Sequence, residues 1–259
     1  MSLAPRAGLD ELVARLPGTV WRGRAISGSD DSRDRLATGF EDLDALLEGG
    51  LPRGRLTEVV APVTAGATSL AYRLCLQVTQ SALAAWIDAP DSLDPASAAA
   101  AGIELERMLW VRPPDLGTAL VAAELVLNLG GFPLVLLDAG ATGDRERGHD
   151  RESTRSPRGR GPAPRAPRRS DPAPHTWLRL ARAAARSHSA LLVLKRRRRQ
   201  EPSLESWASL RLDLDTAAPC WDREKGAPPL LTGLDLLVSV ARQRGMGQGK
   251  AVRLRAGDR

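Results

Sequence analysis

The chain has 259 residues, of which 42% are hydrophobic, with a formal net charge of +6 and two widely separated cysteines. These values exclude a small disulfide-stapled scaffold and a polar disordered chain, and they allow a sizeable core. No apolar run approaches the roughly 18 residues of a membrane helix, and the first residues lack a signal-peptide pattern, which predicts a cytoplasmic protein without a membrane partner. The positive charge favours a polyanionic partner, although GC-rich coding would also enrich arginine.

The N-terminal part contains two helix patterns. Residues 1–34 are predicted to form a short helix, at 9–16, and a linker. The sequence Thr38–Glu41 fits a capping box, with a hydroxyl residue three positions before a glutamate. It predicts a second helix that ends at Gly49, since glycine is favoured just after a helix.

An apolar run at 56–60 predicts a buried strand that leads into the loop 61–68. Apolar residues then recur at i, i+4 and i+8 from Leu70 to Val78, which predicts an amphipathic helix. A strand, a loop and a helix in this order form the layout of a phosphate-binding loop.

The loop lacks the charge that such a site needs. In the pattern G-x-x-x-x-G-K-[ST], glycines let backbone N–H groups surround phosphates, the lysine meets the β and γ oxygens, and the hydroxyl binds Mg²⁺. Ala61 stands at the first glycine and Ala67 at the lysine, whereas Gly66, Thr68 and Ser69 remain. The sequence therefore predicts a degenerate nucleotide site that keeps its scaffold and has lost its cation.

Strand and helix patterns alternate between residues 83 and 138. Apolar strand runs cover 83–88, 108–111 and 133–138, and helix patterns cover 96–101 and 118–129. Continuous apolar strands separated by helices are typical of a mostly parallel sheet with helices on both faces. We therefore predict an α/β fold.

The rest of the chain begins with an arginine- and proline-rich stretch, 143–175, predicted to be a disordered insertion because it cannot bury an apolar face. A helix pattern at 177–187 and a strand at 190–194 follow. The last segments alternate apolar and polar residues, which predicts antiparallel strands at one sheet edge before a tail at 256–259. These segments are 210–215, 238–244 and 252–255.

Several segments resemble the RecA recombinase core. The run Thr38–Leu46 followed by Gly49–Arg55 is similar to the sequence ahead of that family's ATP site. Trp86–Pro95 is similar to the segment F-I-D-A-E-x-A-L-D-P, and Ala208–Asp213 to the strand A-S-V-R-L-D. The resemblance implies a RecA-like P-loop core, which the chain would form from residues 35–142 and 176–255.

The same resemblance bears on catalysis. The family's catalytic glutamate, which orients the attacking water, is Pro90 here, whereas Asp138 stands at the Walker B position that holds Mg²⁺ through water. Loss of this glutamate and of the loop lysine predicts a protein without ATPase activity and without a required cofactor, and leaves weak ATP and Mg²⁺ binding open. Three aspartates could replace the glutamate as the base: Asp88, Asp91 and Asp94. Surface solvation or helix capping is the simpler interpretation of each.

Within this superfamily the chain looks most like ImuA, a shortened RecA-like accessory group related to SulA. The resemblance rests on Val20–Gly23 ahead of the first core helix, the degenerate loop and the short chain. It implies a role in the SOS response and translesion synthesis, with ImuB-type and DnaE-type polymerase proteins and RecA as partners. An ATP-dependent RecA-type recombinase or ATPase and a SulA-like cell-division regulator remain alternatives.

In the RecA core two loops contact DNA, one after the Asp-bearing strand and one after the next strand. The corresponding places hold basic residues that could bind phosphates of single-stranded DNA, although nearby aromatic residues for base stacking are few. A solvated charge run is the competing interpretation. The candidate DNA contacts are Arg158, Arg160, Arg165, Arg168, Arg169, Lys195, Arg196, Arg197, Arg198 and Arg199.

Overall fold

The computed structural model describes residues 34–62, 65–140, 172–196, 204, 207–222, 228–243 and 249–257, without side-chain detail at 216 and 217. These residues belong to one compact unit, 32–259. The predicted helix at 9–16 and most of the predicted insertion at 143–175 lie outside the described residues.

The described residues form five α-helices and ten strands. The helices are α1 (Glu41–Leu46), α2 (Ala67–Thr79), α3 (Pro95–Ala100), α4 (Leu116–Leu129) and α5 (Pro174–Ser187), with a short 3-10 helix at Leu105–Arg107. The strands are β1 (Arg35–Leu36), β2 (Leu51–Pro52), β3 (Leu56–Ala61), β4 (Ala84–Asp88), β5 (Met108–Val111), β6 (Leu134–Asp138), β7 (Ala190–Arg196), β8 (Leu210–Asp222), β9 (Leu230–Gln243) and β10 (Ala251–Ala256). None of these helices is long and apolar enough to cross a membrane.

Eight strands form one sheet in the order β10-β9-β8-β3-β7-β6-β4-β5, and β1 pairs with β2 separately. The strands from β8 to β5 run parallel to their neighbours, whereas β9 is antiparallel to β8 and β10 to β9. The predicted α/β fold, with a mostly parallel sheet and antiparallel edge strands, is confirmed.

Helices cover both faces of this sheet, because successive side chains of a strand point to opposite faces. On the face that we call the front, α2 packs Leu70 and Leu74 against Leu136 of β6. On the back face, α4 and α5 pack against Val135 and the other alternate residues of the same strands. Both cysteines are free, and burial raises the pKa of the Cys75 thiol to about 12.

Strand β8 has one predicted neighbour and one that was not predicted. It is antiparallel to β9, as expected, and it also pairs in parallel with β3, from Thr57 opposite Leu210 to Val60 opposite Asp213. Apolar and polar residues alternate along β8 because Arg211 and Asp213 form ion pairs on the back face of the sheet. The polar side of this strand therefore contacts other charged side chains and is not simply a solvated side.

The predicted capping box does not form. Helix α1 begins at Glu41 with Phe40 as its N-cap residue, and no side chain caps it. The Thr38 backbone N–H instead donates to the Asp44 carboxylate at 2.8 Å, and the Thr38 hydroxyl accepts from the Phe40 N–H at 3.2 Å. Asp44 replaces Glu41 as the local acceptor, which moves the helix start beyond Thr38.

Candidate functional site

The candidate site lies at the edge where the parallel strands end, the usual ligand position in open α/β sheets. Four strand ends meet there on the front face, since Asp88 is in register with Asp138, and Ala61 with Arg196. Each registered pair belongs to adjacent strands, which run about 4.8 Å apart. The fold therefore brings the predicted loop, the Walker B position and the first part of the basic run to one edge.

The loop keeps the shape that glycine permits. Gly66 has φ 76° and ψ 19°, in the left-handed region, and is the N-cap residue of α2, which begins at Ala67. A Cβ on Gly66 would lie 2.2 Å from Cδ2 of Leu236 on β9. The turn is therefore held against β9 in a conformation that other residues adopt only with strain. Ala67 supplies no charge at the lysine position.

Asp88 is fully buried at the end of β4. Its carboxylate accepts hydrogen bonds from the backbone N–H groups of Ser92 and Leu93, at 3.0 and 2.9 Å, and from Nε1 of Trp110 at 3.3 Å. Surface solvation is therefore the wrong interpretation for Asp88. Its acceptor atoms are committed to fixing the turn that follows β4.

The two other aspartates of this segment have local roles. Asp94 is the N-cap residue of α3 and accepts from the Ser97 N–H at 2.9 Å, as the capping interpretation predicts. Asp91 accepts two hydrogen bonds from Arg112, at 2.6 and 2.9 Å, near the protein surface. The Arg112 guanidinium also lies 4.8 Å from the centre of the Trp110 ring. Both carboxylates stabilise the segment between β4 and α3.

Asp138 is almost completely buried, and one of its carboxylate oxygens accepts from the Gly140 N–H at 2.8 Å. Burial raises the pKa of Asp138 above its ordinary value, and the charge of Asp88 acts in the same direction. The Gly140 N–H, the charge of Arg196 and the Ser92 hydroxyl favour the ionised form. Asp138 is therefore engaged by the protein's own groups.

Pro90 lies beside the turn that follows Asp138, because a Cβ on Gly140 would be 3.1 Å from the Pro90 Cβ. A proline ring has no carboxylate with which to orient water. The described residues thus supply neither a cation at position 67 nor a base at position 90. Phosphoryl transfer depends on such groups to stabilise developing charge.

A second charged cluster lies on the back face of the same edge and was missed by the sequence reasoning. Glu58 of β3 is fully buried, with Lys195 Nζ at 3.5 Å and Arg211 Nη1 at 3.9 Å from its carboxylate oxygens. The Leu204 N–H donates to it at 3.2 Å, and Arg211 also pairs with Asp213 at 2.9 Å. The available signal was a single charged residue inside the apolar run 56–60, because buried charges require partners.

The structure describes two of the predicted DNA contacts. Lys195 pairs with Glu58 on the back face, and Arg196 lies near Asp138 on the front face. The first two cations of the basic run therefore point to opposite faces, each towards a carboxylate of the sheet. The others lie outside the described residues: Arg158, Arg160, Arg165, Arg168, Arg169, Arg197, Arg198 and Arg199.

Comparison with known proteins agrees with this architecture. The family model of the RecA N-terminal domain matches residues 26–147. Protein RecA of Rubrobacter xylanophilus is 33% identical over 144 residues, which are 54% of this chain and 42% of that protein. Protein RecA of Borrelia hermsii is 39% identical over 98 residues, covering 37% of this chain and 27% of that protein. The matches thus span less than half the length of these relatives.

A crystal structure of the RadB recombinase has the same fold, with a TM-score of 0.57, 19% sequence identity and coverage of 85% of this chain and 95% of that chain. The sequence and structural matches together support a relationship to the RecA-like superfamily. They identify the fold and the N-terminal part of the core.

Proposed function

We propose that the chain is a non-catalytic RecA-like accessory protein that acts in DNA-damage-induced translesion synthesis. One observation carries this proposal: the recombinase-shaped edge is kept, with Gly66 in its left-handed turn and Asp138 on the same face, while Ala67 and Pro90 stand where the cation and the base are needed. A scaffold without its reactive groups is suited to recognition.

Its proposed partners are an ImuB-type protein, a DnaE-type polymerase and RecA, as the resemblance to the ImuA group implies. The proposal includes two further ligands. Single-stranded DNA is proposed at the basic run that begins with Lys195, although Lys195 and Arg196 already have carboxylates nearby. Weak nucleotide binding at the Gly66 turn also remains within the proposal.

The first test is an ATPase assay on the full chain with Mg²⁺, with and without single-stranded DNA. We expect no turnover above the background of an Asp138→Ala control, because Ala67 provides no cation in the loop to stabilise the charge of the transition state. Turnover that Asp138→Ala abolishes would support the alternative of a RecA-type ATPase, which the retained Asp138 favours.

The second test asks whether partners bind without catalysis. Purified ImuB-type and DnaE-type proteins from the same genome would be assayed for complex formation with the full chain, by size-exclusion chromatography with light scattering. We expect a complex that persists without nucleotide. No complex with either protein would contradict the accessory role, whatever the ATPase result.

A further inference from the structure

Four arginines lie together at the opposite edge of the sheet, where the parallel strands begin. Arg182 and Arg186 are exposed on α5 and stand one helical turn apart. Arg53 and Arg55 lie in the turn that leads into β3, which begins at the next residue. We call these four residues the α5 basic surface.

The turn and the helix form one continuous surface. Gly54, between the two arginines of the turn, approaches the last part of α5 so closely that its Cβ would lie 3.6 Å from the Ala185 Cα. Arg53 Nε donates to the His188 carbonyl oxygen, just past the end of α5, at 3.2 Å. The four guanidinium groups therefore emerge from neighbouring stretches of backbone.

The hydrogen bonds of this surface hold the arginines without neutralising them. Arg186 donates to the Asn128 amide oxygen at 2.9 Å, and Arg53 to a carbonyl oxygen. Among the described residues no carboxylate lies within ion-pair distance of Arg55 or Arg182, and α5 contains no acidic residue. Some other described arginines instead pair with carboxylates: Arg112 with Asp91, Arg179 with Glu124, and Arg211 with Asp213.

Stabilisation of the helix accounts for only part of this pattern. A cation in the last turn of a helix interacts favourably with the helix dipole, which explains Arg186. Arg182 lies a turn earlier, and Arg53 and Arg55 are not on the helix. Guanidinium groups bind phosphate bidentately and are more weakly hydrated than ammonium groups. Arginines that are positioned by the protein and not paired with carboxylates are therefore suited to bind phosphate oxygens.

We propose that the α5 basic surface binds the phosphate backbone of a nucleic acid. The six residues of β3 separate it from the candidate site by about 20 Å, at about 3.3 Å per residue. A nucleic acid held here leaves the carboxyl edge of the sheet open. The surface goes beyond the proposed function, because it requires neither the absence of ATPase activity nor DNA contact at Lys195.

The experiment measures binding of single-stranded and duplex oligonucleotides to the full chain by fluorescence anisotropy over a range of salt concentrations. For Arg182→Ala/Arg186→Ala we expect weaker binding and a salt slope reduced by about 1.8 on a duplex, about 0.9 for each lost phosphate contact. The matched control, Lys250→Ala/Arg253→Ala, removes the same charge from exposed side chains elsewhere and should leave the slope close to that of the wild type.

A charge-preserving variant separates folding from binding. Arg182→Lys/Arg186→Lys should retain most of the slope, since each ammonium still releases a counterion. Equal losses in the α5 variant and its control would overturn the inference, as would an unchanged slope in the α5 variant. Binding of an acidic polypeptide such as polyglutamate but of neither oligonucleotide would also overturn it, in favour of a protein partner.

A third variant distinguishes this surface from the DNA contact of the proposed function. If Arg197→Ala/Arg198→Ala, which leaves the partners of Glu58 and Asp138 in place, binds like the wild type while the α5 variant binds weakly, the α5 basic surface stands and the DNA contact after β7 fails. The reverse result would overturn the α5 basic surface and keep the contact at β7.

Discussion

The two faces of the sheet carry charge differently at the same edge. On the back face, the buried Glu58 carboxylate has cations from two neighbouring strands, Lys195 and Arg211. On the front face, the Asp138 carboxylate is held by a backbone N–H, with Arg196 as the nearby positive charge. The back-face charges join strands β3, β7 and β8, whereas the front-face charges lie where a RecA core handles phosphate.

This difference separates two roles of charged side chains, stabilising the sheet and acting on phosphate. Charges that hold β-strands together are needed for folding whatever the protein does. Removing one partner leaves the remaining charges without compensation in a low-dielectric interior. Charges that act on phosphate are needed only for the reaction. Glu58 falls in the first group. Ala67 and Pro90 stand where the resemblance to RecA would place charges of the second group, and neither side chain is charged.

The largest expected effect is on the back face. Glu58→Gln removes the shared carboxylate of Lys195 and Arg211, and we expect the free energy of unfolding to fall by about 3–5 kcal/mol. Urea unfolding followed by circular dichroism measures it. The control is Glu124→Gln, whose partner Arg179 is largely exposed, and we expect about 1 kcal/mol or less there. Similar losses in both variants would remove the proposed distinction between the faces.

The next effect concerns the loop on the front face. Gly66→Ala places a methyl group against Leu236 and forces φ 76° on an alanine. We expect about 1–2 kcal/mol from the backbone and about 1–3 kcal/mol from the overlap, measured by urea unfolding. Gly131→Ala is the matched control, since its φ is 83° and nothing lies within 4 Å of the added Cβ. It should show the backbone cost alone.

The smallest effect depends on pH. Because the pKa of Asp138 is raised in the folded chain, the unfolded chain loses this proton first, and the contribution of Asp138 to stability falls as pH rises from about 3.9 through the raised pKa. Asp138→Asn should therefore become more stable relative to the wild type across that interval and hold a constant difference above it. Urea midpoints measured from acidic to neutral pH check this, and a variant that loses stability relative to the wild type as pH rises would contradict it.

Much of the fold was predictable because central strands carry unbroken apolar runs. Strands β4, β6 and β7 follow such runs, and each lies within two residues of its predicted position. The parallel pairing of β8 with β3 was not predicted, since alternation along Leu210, Arg211 and Leu212 looks the same whether the polar side meets water or a buried carboxylate. Only the register with β3 distinguishes the two cases.

The candidate site was predictable only where a local pattern marked it. The loop spacing located Gly66 and Ala67, and the end of an apolar run located Asp138. The cluster around Glu58 draws on residues 58, 195, 204 and 211, which are distant in sequence and carry no shared motif. The α5 basic surface likewise depends on the approach of Gly54 to Ala185, a tertiary contact.

Strands β6 and β7 are neighbours in the sheet, from Leu134 opposite Ala190 to Asp138 opposite Leu194. Helix α5 lies in the connection between these two adjacent strands. For polypeptide loops in general, the free energy of closure grows only with the logarithm of loop length, by about 0.6 kcal/mol for each doubling. Insertions and deletions in the connection between β6 and β7 should therefore change the free energy of unfolding little. Its length can vary between related proteins without loss of the fold.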